Sequence, residues 1–367
     1  MNDNSNDAPR WIAGVKPAAE LRSQNMTSLF EKECREQPEK LAQLFHAYRH
    51  DHAIREQLRV LAQTAESPGP VLFIGMGASF CSSVTGSLWL QANGRPSFFI
   101  DAGEWLHYSL PVWDQAQLSV LVTTSGESAE LVELLRHNAP GPLALICNNE
   151  RSTCWSLAKL RLPVLAGPEY GNATKTYTSA TAACIILSSE LLKCEWHSSA
   201  NQALDRYRSL LDRIFGLRGD LAEFCAGAAN VELVGRGPAY GSALMGALCI
   251  REMAGHRTAA HSGAGFRHGP LLDVDDSHLA IIFALGRGAA LGVKLAQDCN
   301  ARGGKVILVT TEECRPWEKL LLVKIEPVPE PWESLTSILV PQALTLAMIE
   351  RSGAKLSPRF QYGTMTE

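Results

Sequence analysis

Thr123-Thr124-Ser125-Gly126-Glu127-Ser128 places four hydroxyls within six residues, directly after the apolar run Leu118–Val122. A strand-to-helix turn of that composition is a dense set of neutral donors, enough to solvate a phosphate without lysine or arginine. A Ser/Thr N-cap accounts for one such hydroxyl, or two, but not for four. A second turn, Gly75-Met76-Gly77-Ala78-Ser79, follows the apolar run Val71–Ile74. Its glycines let backbone approach an anion, and the free N–H groups of a helix start attract negative charge. It is not a dinucleotide fingerprint, because Phe80 stands at the third glycine position and Asp101, beyond Ile100, has no supporting ribose contact. With both turns at one sheet edge, Ser79 joins the four hydroxyls.

Two further side chains could move protons. In a helix over 239–253, Leu244, Leu248 and Glu252 fall at i, i+4 and i+8, on one face. A carboxylate continuing an apolar stripe either turns to solvent at the helix end or sits desolvated in a pocket. In the second case its proton affinity rises towards that of a general base. His268 lies on a Gly-Phe-Arg-His-Gly-Pro turn, where its ring either faces a cleft or is satisfied within the loop. His46, His50 and His52 have helical spacing for a metal pair but no third ligand, and read as a solvated helix face.

The elements that must hold these residues are those of an α/β protein. Short apolar runs at Val71–Ile74, Phe98–Ile100, Leu118–Val122, Leu143–Ile146 and Leu162–Leu165 alternate with helical stretches. Such runs predict strands buried on both faces of a parallel sheet. A long helix after Thr178 closes the unit. The pattern restarts with Val231–Val234, His278–Phe283, Lys305–Val309 and Leu321–Ile325, and VLFIGMGASF aligns with VELVGRGPAY. This is an internal duplication: two tandem units, each a parallel sheet flanked by helices in three layers. The expected organisation is a leader and helices over 1–70, a first unit over 71–195, a helical connector over 196–228, a second unit over 229–345 and a tail over 346–367. In the leader, Ser28-x-x-Glu31 is a capping box opening a helix, and Pro38 should break or start one. Leu41, Leu44, Phe45 and Tyr48, then Ile54, Leu58 and Leu61, repeat at helix spacing.

Composition narrows the function classes. The chain has 367 residues, 46% hydrophobic and 20% charged, with a formal net charge of −4. That balance, without runs of like charge, argues against nucleic acid or an anionic lipid surface as a partner. The polar start MNDNSNDAPR has no apolar signal-peptide core, and no apolar stretch is long enough to span a membrane. Ten scattered cysteines without a CxxC pair read as reduced thiols, which predicts a cytoplasmic protein.

GMGAS followed by TTSGESAE resembles the sugar-isomerase (SIS) domain, and the likeness continues through GRGPAYGSALMGALCIRE and GFRHGPLLDVDD. The tandem arrangement is similar to the isomerase half of glucosamine-6-phosphate synthase and to stand-alone aminosugar-phosphate deaminases and fructosamine-6-phosphate deglycases. The resemblance implies that Ser79, Thr123, Thr124, Ser125 and Ser128 hold the phosphate of a 6-phosphorylated sugar or amino sugar. It also implies that Gly77 and the stretch Asn172-Ala173-Thr174-Lys175 border the sugar, with Ala173 in place of a frequent serine. Glu252 and His268 then occupy the base and ring-opening positions. The implied chemistry is proton transfer between C1 and C2, with no metal or redox cofactor. The implied assembly is a homodimer with a shared site, His268 being supplied by the neighbouring chain.

Two departures from the family narrow the expectation. Residues 1–70 leave no room for the synthase's glutaminase domain, and residue 2 is Asn rather than the nucleophilic cysteine. Relatives end Pro-Arg-x-Leu-x-Lys, whereas this chain reads Pro358-Arg359-Phe360-Gln361-Tyr362-Gly363. With Gly363 at the lysine position, deglycation or deamination by acid and base survives better than imine capture. Simple aldose–ketose isomerisation comes second. A non-catalytic sugar-phosphate sensor is the alternative from another class.

Overall fold

The computed structural model describes residues 26–64, 69–137, 141–170 and 172–352. Two helices lead: α1 (Met26–His50) and α2 (His52–Thr64). The first unit follows with β1 (Val71–Gly75), α3 (Ala78–Ala92), β2 (Ser97–Asp101), β3 (Leu118–Thr123), α4 (Ala129–Arg136), β4 (Leu143–Cys147), α5 (Thr153–Leu157), β5 (Leu160–Pro163) and α6 (Lys175–Leu191). Helices α7 (His197–Gly216) and α8 (Arg218–Phe224) connect it to the second. There the order is β6 (Asn230–Gly235), α9 (Ala239–Cys249), β7 (Thr258–Ser262), α10 (Gly263–Arg267), β8 (His278–Ala284), α11 (Ala289–Ala301), β9 (Lys305–Thr310) and β10 (Leu320–Lys324), closed by α12 (Glu333–Ser337) and α13 (Leu339–Ser352).

Each unit holds a five-stranded sheet, ordered β2-β1-β3-β4-β5 in the first and β10-β9-β8-β6-β7 in the second, and every pairing is parallel. The two orders are the same topology read from opposite ends, as duplication requires. In both, chain direction reverses beside the first strand, between β1 and β3 and between β6 and β8. The carboxyl-end crevice at such a switch point is where this class of fold binds ligands. One apolar core runs through both units and takes in Leu41, Leu44, Phe45 and Tyr48 of α1, while smaller cores lie on the outer face of each sheet.

Three local expectations are corrected. Ser28 lies inside α1, not at its start, and Glu31 is held by Arg35 and Arg218 instead of closing a capping box. Pro38 lies within α1, which continues to His50. Proline removes the N–H that would have reached the Cys34 carbonyl, and the Gln37 side-chain amide donates to that carbonyl in its place, at 2.9 Å. The last strand of the first sheet is Leu160–Pro163, two residues earlier than its apolar run, because Leu165 takes a left-handed φ of 57° that no strand accepts. Strand β7, Thr-Ala-Ala-His-Ser, carries no apolar run and was not foreseen; it is an edge strand paired only to β6.

Candidate functional site

The two hydroxyl-bearing turns meet because β1 and β3 are paired neighbours, with Ile74 opposite Leu121. Gly77 takes a φ of +54°, and a Cβ placed there would meet nothing within 4 Å, so its backbone faces open space. At the neighbouring turn, Gly126 has a φ of +68° and a Cβ would fall 2.1 Å from the Ser152 hydroxyl. Only glycine lets the turn close.

The five hydroxyls divide by what they do. Thr123 is buried, and its Oγ1 accepts from the Gly126 N–H at 3.1 Å. Ser125 is exposed, and its Oγ accepts from the Glu127 N–H at 3.2 Å. These two shape the turn. The hydroxyls of Ser79, Thr124 and Ser128 make no hydrogen bond to any described residue, and all three residues are only partly exposed. Ser128 stands at the N-cap of α4 in extended backbone without bonding the helix. Its hydroxyl and the N–H groups of the first helical turn both remain open.

Asp101, at the end of β2, is committed elsewhere. Its Oδ1 accepts from the Gly103 and Glu104 N–H groups at 2.9 and 3.3 Å, which caps the following turn.

The 172–175 stretch is anchored from below by a carboxylate that sequence reasoning missed. Glu169 accepts from the backbone N–H of Thr174 and Lys175 and from the hydroxyls of Thr174 and Thr176, so it takes the place of an N-cap for α6. No fixed capping spacing announces it, because it reaches the helix from five residues upstream. Lys175 is buried and its ammonium pairs with Glu36 of α1, at 2.5 Å. Thr174 and Lys175 thus spend their side chains on protein carboxylates. Ala173 remains partly exposed, and the buried Asn172 turns its amide towards the second unit.

Glu252 lies just past α9, where the helix widens into a π-type turn over Ile250–Ala254. The Asn172 Nδ2 donates to its Oε2, a bond between the two units. Burial pushes the Glu252 carboxyl above the usual carboxylate range, and the Asn172 bond opposes that rise. Of the two readings open from periodicity, the partly desolvated one holds. Helices α6 and α9 both pack on α3, and the Glu252 charge is felt at the Cys81 thiol, two residues past Ser79. The carboxylate therefore lies within electrostatic reach of the helix that starts at the glycine turn.

His268 ends α10, exposed, and no hydrogen bond or ion pair joins it to Glu252 within the chain. The His46 and His50 rings lie with centroids 4.7 Å apart, tilted by 46°. Among the described residues no group of three His, Cys, Asp or Glu side chains is placed to hold a metal ion, and no helix is long and apolar enough to cross a membrane. Gly363 and the tail from residue 353 lie outside the described residues.

The SIS domain matches the chain twice, over residues 67–188 and 226–351. Among curated proteins, the chain is similar to the isomerizing glutamine–fructose-6-phosphate aminotransferase of Zymomonas mobilis, 29% identical over 311 residues, which are 79% of this chain and 50% of that protein. The aminotransferase of the same description from Bartonella henselae is 30% identical over 257 residues, 66% of this chain and 42% of that protein. The chain spans about half the length of the curated relatives it matches. Among solved structures, the C-terminal domain of glucosamine-fructose-6-phosphate aminotransferase from Francisella tularensis superimposes with a TM-score of 0.75 at 22% identity, covering 89% of this chain and 96% of that one. Tagatose-6-phosphate ketose/aldose isomerase from Escherichia coli gives 0.72 at 18% identity, covering 93% and 96%. At those identities the two structures speak to the fold.

Proposed function

The chain belongs to the SIS domain family, and from that premise we propose that it is an enzyme acting on a 6-phosphorylated ketose or amino-ketose by proton transfer between C1 and C2. The observation that carries this reading is the set of hydroxyls on Ser79, Thr124 and Ser128, without hydrogen-bond partners among the described residues, at the switch point of the first sheet. Three neutral donors and an open helix N-terminus suit a phosphate dianion. Gly77 leaves room for the ligand to approach backbone.

With the phosphate held there, Glu252 is the base. Its partial burial raises its proton affinity, so it takes a proton from carbon more readily than a solvated carboxylate would. It removes the proton from C1 or C2 and returns it to the other carbon, through an enediol or enolamine. With an amine at C1 or C2, returning the proton to the other carbon turns the enolamine into an imine at the carbon that bears the amine, and water hydrolyses that imine to the carbonyl and the free amine; we place this deglycation or deamination ahead of aldose–ketose isomerisation. Nothing in this sequence calls for a metal or redox cofactor. We assign His268 to ring opening in the site of a second copy, which makes the working unit a homodimer, and place the protein in the cytoplasm. The curated relatives' names support the substrate class: they are fructose-6-phosphate aminotransferases described as isomerizing.

A sensor that binds phosphosugar without turning it over is the alternative reading from another class. A panel of 6-phosphorylated ketoses, amino sugars and fructose-amino acids, followed by proton NMR in deuterated water, separates the two. The enzyme exchanges the C1 or C2 proton of at least one member. A sensor raises the melting temperature with the same member yet leaves every carbon-bound proton in place.

A further inference from the structure

We propose that Asn172 is a positioning residue for this reaction: from the first unit it holds the Glu252 carboxylate of the second unit in place and keeps it ionised, so that the base is competent only when the two units are docked. The inference rests on the reading of Glu252 as the base.

The argument begins with the bond itself. Asn172 is 1% exposed, and its Nδ2 is the only hydrogen-bond donor that Glu252 has among the described residues. The two residues are 80 positions apart, on different sheets' connections. The amide is not there to satisfy itself, since its Oδ1 is buried without a hydrogen-bond partner among the described residues. A buried amide with one end unmatched costs stability, and an apolar side chain of the same shape would avoid that cost. What an apolar side chain would not do is donate to a carboxylate.

Described residues on either side of Asn172 are anchored to protein carboxylates. Tyr170 donates its N–H to Glu33 of α1 at 2.8 Å, and Glu169 gathers the N–H groups at the start of α6. Asn172 lies between these anchors. Glu252 projects from a widened helical turn that ends at Gly255 in a left-handed conformation with a φ of 64°. The bond ties that turn of the second unit to the 172–175 stretch of the first.

Among the described residues no other charged group bonds the Glu252 carboxylate. Cys81 of α3 and Cys249 one turn earlier both face Glu252, but burial pushes each thiol up to about 12, so both stay neutral. Arg251, beside it, donates to the Thr258 carbonyl instead. On α13, which packs against the same turn, Glu350 pairs with Arg218. Among the described residues of this chain, the donor from Asn172 is thus the contact that favours the ionised form against burial. An ionised base is what the reaction needs, so losing that donor must penalise the acid side of the pH profile more than the alkaline side.

The test compares kcat and KM across pH for the parent, Asn172→Leu and Asn172→Asp, with thermal melts of each and Glu252→Gln alongside. Leucine keeps the volume and removes the donor; aspartate keeps the shape and adds a like charge that makes the pair hold a proton. The expected result is a drop in kcat of ~10-fold or more at the acid end, with only a fewfold loss on the alkaline plateau. Asn172→Asp should be the more affected, and KM for the phosphosugar little changed. A uniform loss across pH, an unmoved acid limb, or failure of both variants to fold assigns Asn172 to structure alone and overturns the proposal. If Glu252→Gln turns over like the parent, the reading of Glu252 as base falls as well. An unmoved acid limb with an inactive Glu252→Gln sinks only the role of Asn172.

Discussion

Ser128 and Ser152 occupy the same place ahead of their helices, yet only Ser152 caps one. Both have extended backbone at an N-cap, but the Ser152 Oγ accepts from the Trp155 N–H at 3.2 Å, whereas the Ser128 Oγ bonds nothing in its helix. One serine completes the fold and the other is left open at the proposed phosphate site.

Their alanine variants should therefore part company. Ser152→Ala loses a cap worth ~1 kcal/mol and lowers the melting temperature, while leaving phosphosugar binding largely intact. Ser128→Ala leaves the melting temperature of the free protein within about a degree and weakens phosphosugar binding by ~5–10-fold, one hydrogen bond to a charged group. Thermal melts with and without ligand read both effects.

Gln37 and Pro38 form a second pair whose roles can be separated. The Gln37 amide supplies the Cys34 carbonyl with the donor that Pro38 lacks, and exchanges hydrogen bonds with Gln342 at 2.9 and 3.2 Å. Gln37→Ala strands buried acceptors and should cost ~1–3 kcal/mol in denaturant melts. Adding Pro38→Ala restores a backbone N–H to the same carbonyl, and the double variant should recover part of that loss. Strictly additive costs would show that the side chain is not substituting for the missing donor.

Glu33 makes stability pH-dependent in an unusual direction. It is 2% exposed, and burial together with the nearby Glu169 pushes its carboxyl up to about 8 from 4.5. Below the unfolded value both states hold the proton, and no penalty arises. Between 4.5 and about 8 the folded state retains a proton that the unfolded chain has released, so this group's contribution falls as pH rises and levels off above that window. Glu33→Gln, which can still accept from Tyr170, should gain ~1–3 kcal/mol at pH 8–9 relative to its effect near pH 5, measured by chemical denaturation. An equal effect at both pH values would place the Glu33 proton affinity near that of an exposed carboxylate.

Much of the architecture is legible in the residues because parallel strands buried on both faces must be written as continuous apolar runs. Val71, Leu118, Leu143, His278 and Lys305 all open strands where their runs predict. Strand β7 was not legible, because an edge strand of small and polar residues has no such signature. The hydroxyl turns could be read from composition, but their division of labour could not. Thr123 and Ser125 differ from Thr124 and Ser128 only in which backbone N–H groups the turn brings within reach. Nor could the Asn172–Glu252 bond be foreseen, since it joins two sheets through loops with no shared period.

The central claim is that the Glu252 carboxylate moves the carbon-bound proton of a phosphosugar held by the first unit. The most direct measurement is deuterium incorporation from solvent at C1 and C2 of the best 6-phosphorylated substrate, for the parent and for Glu252→Gln, at matched saturation. The account predicts exchange in the parent and a fall of ~10²–10⁴ in the variant with binding retained. Equal exchange in both proteins, or binding by the parent with no exchange at either carbon, would contradict it.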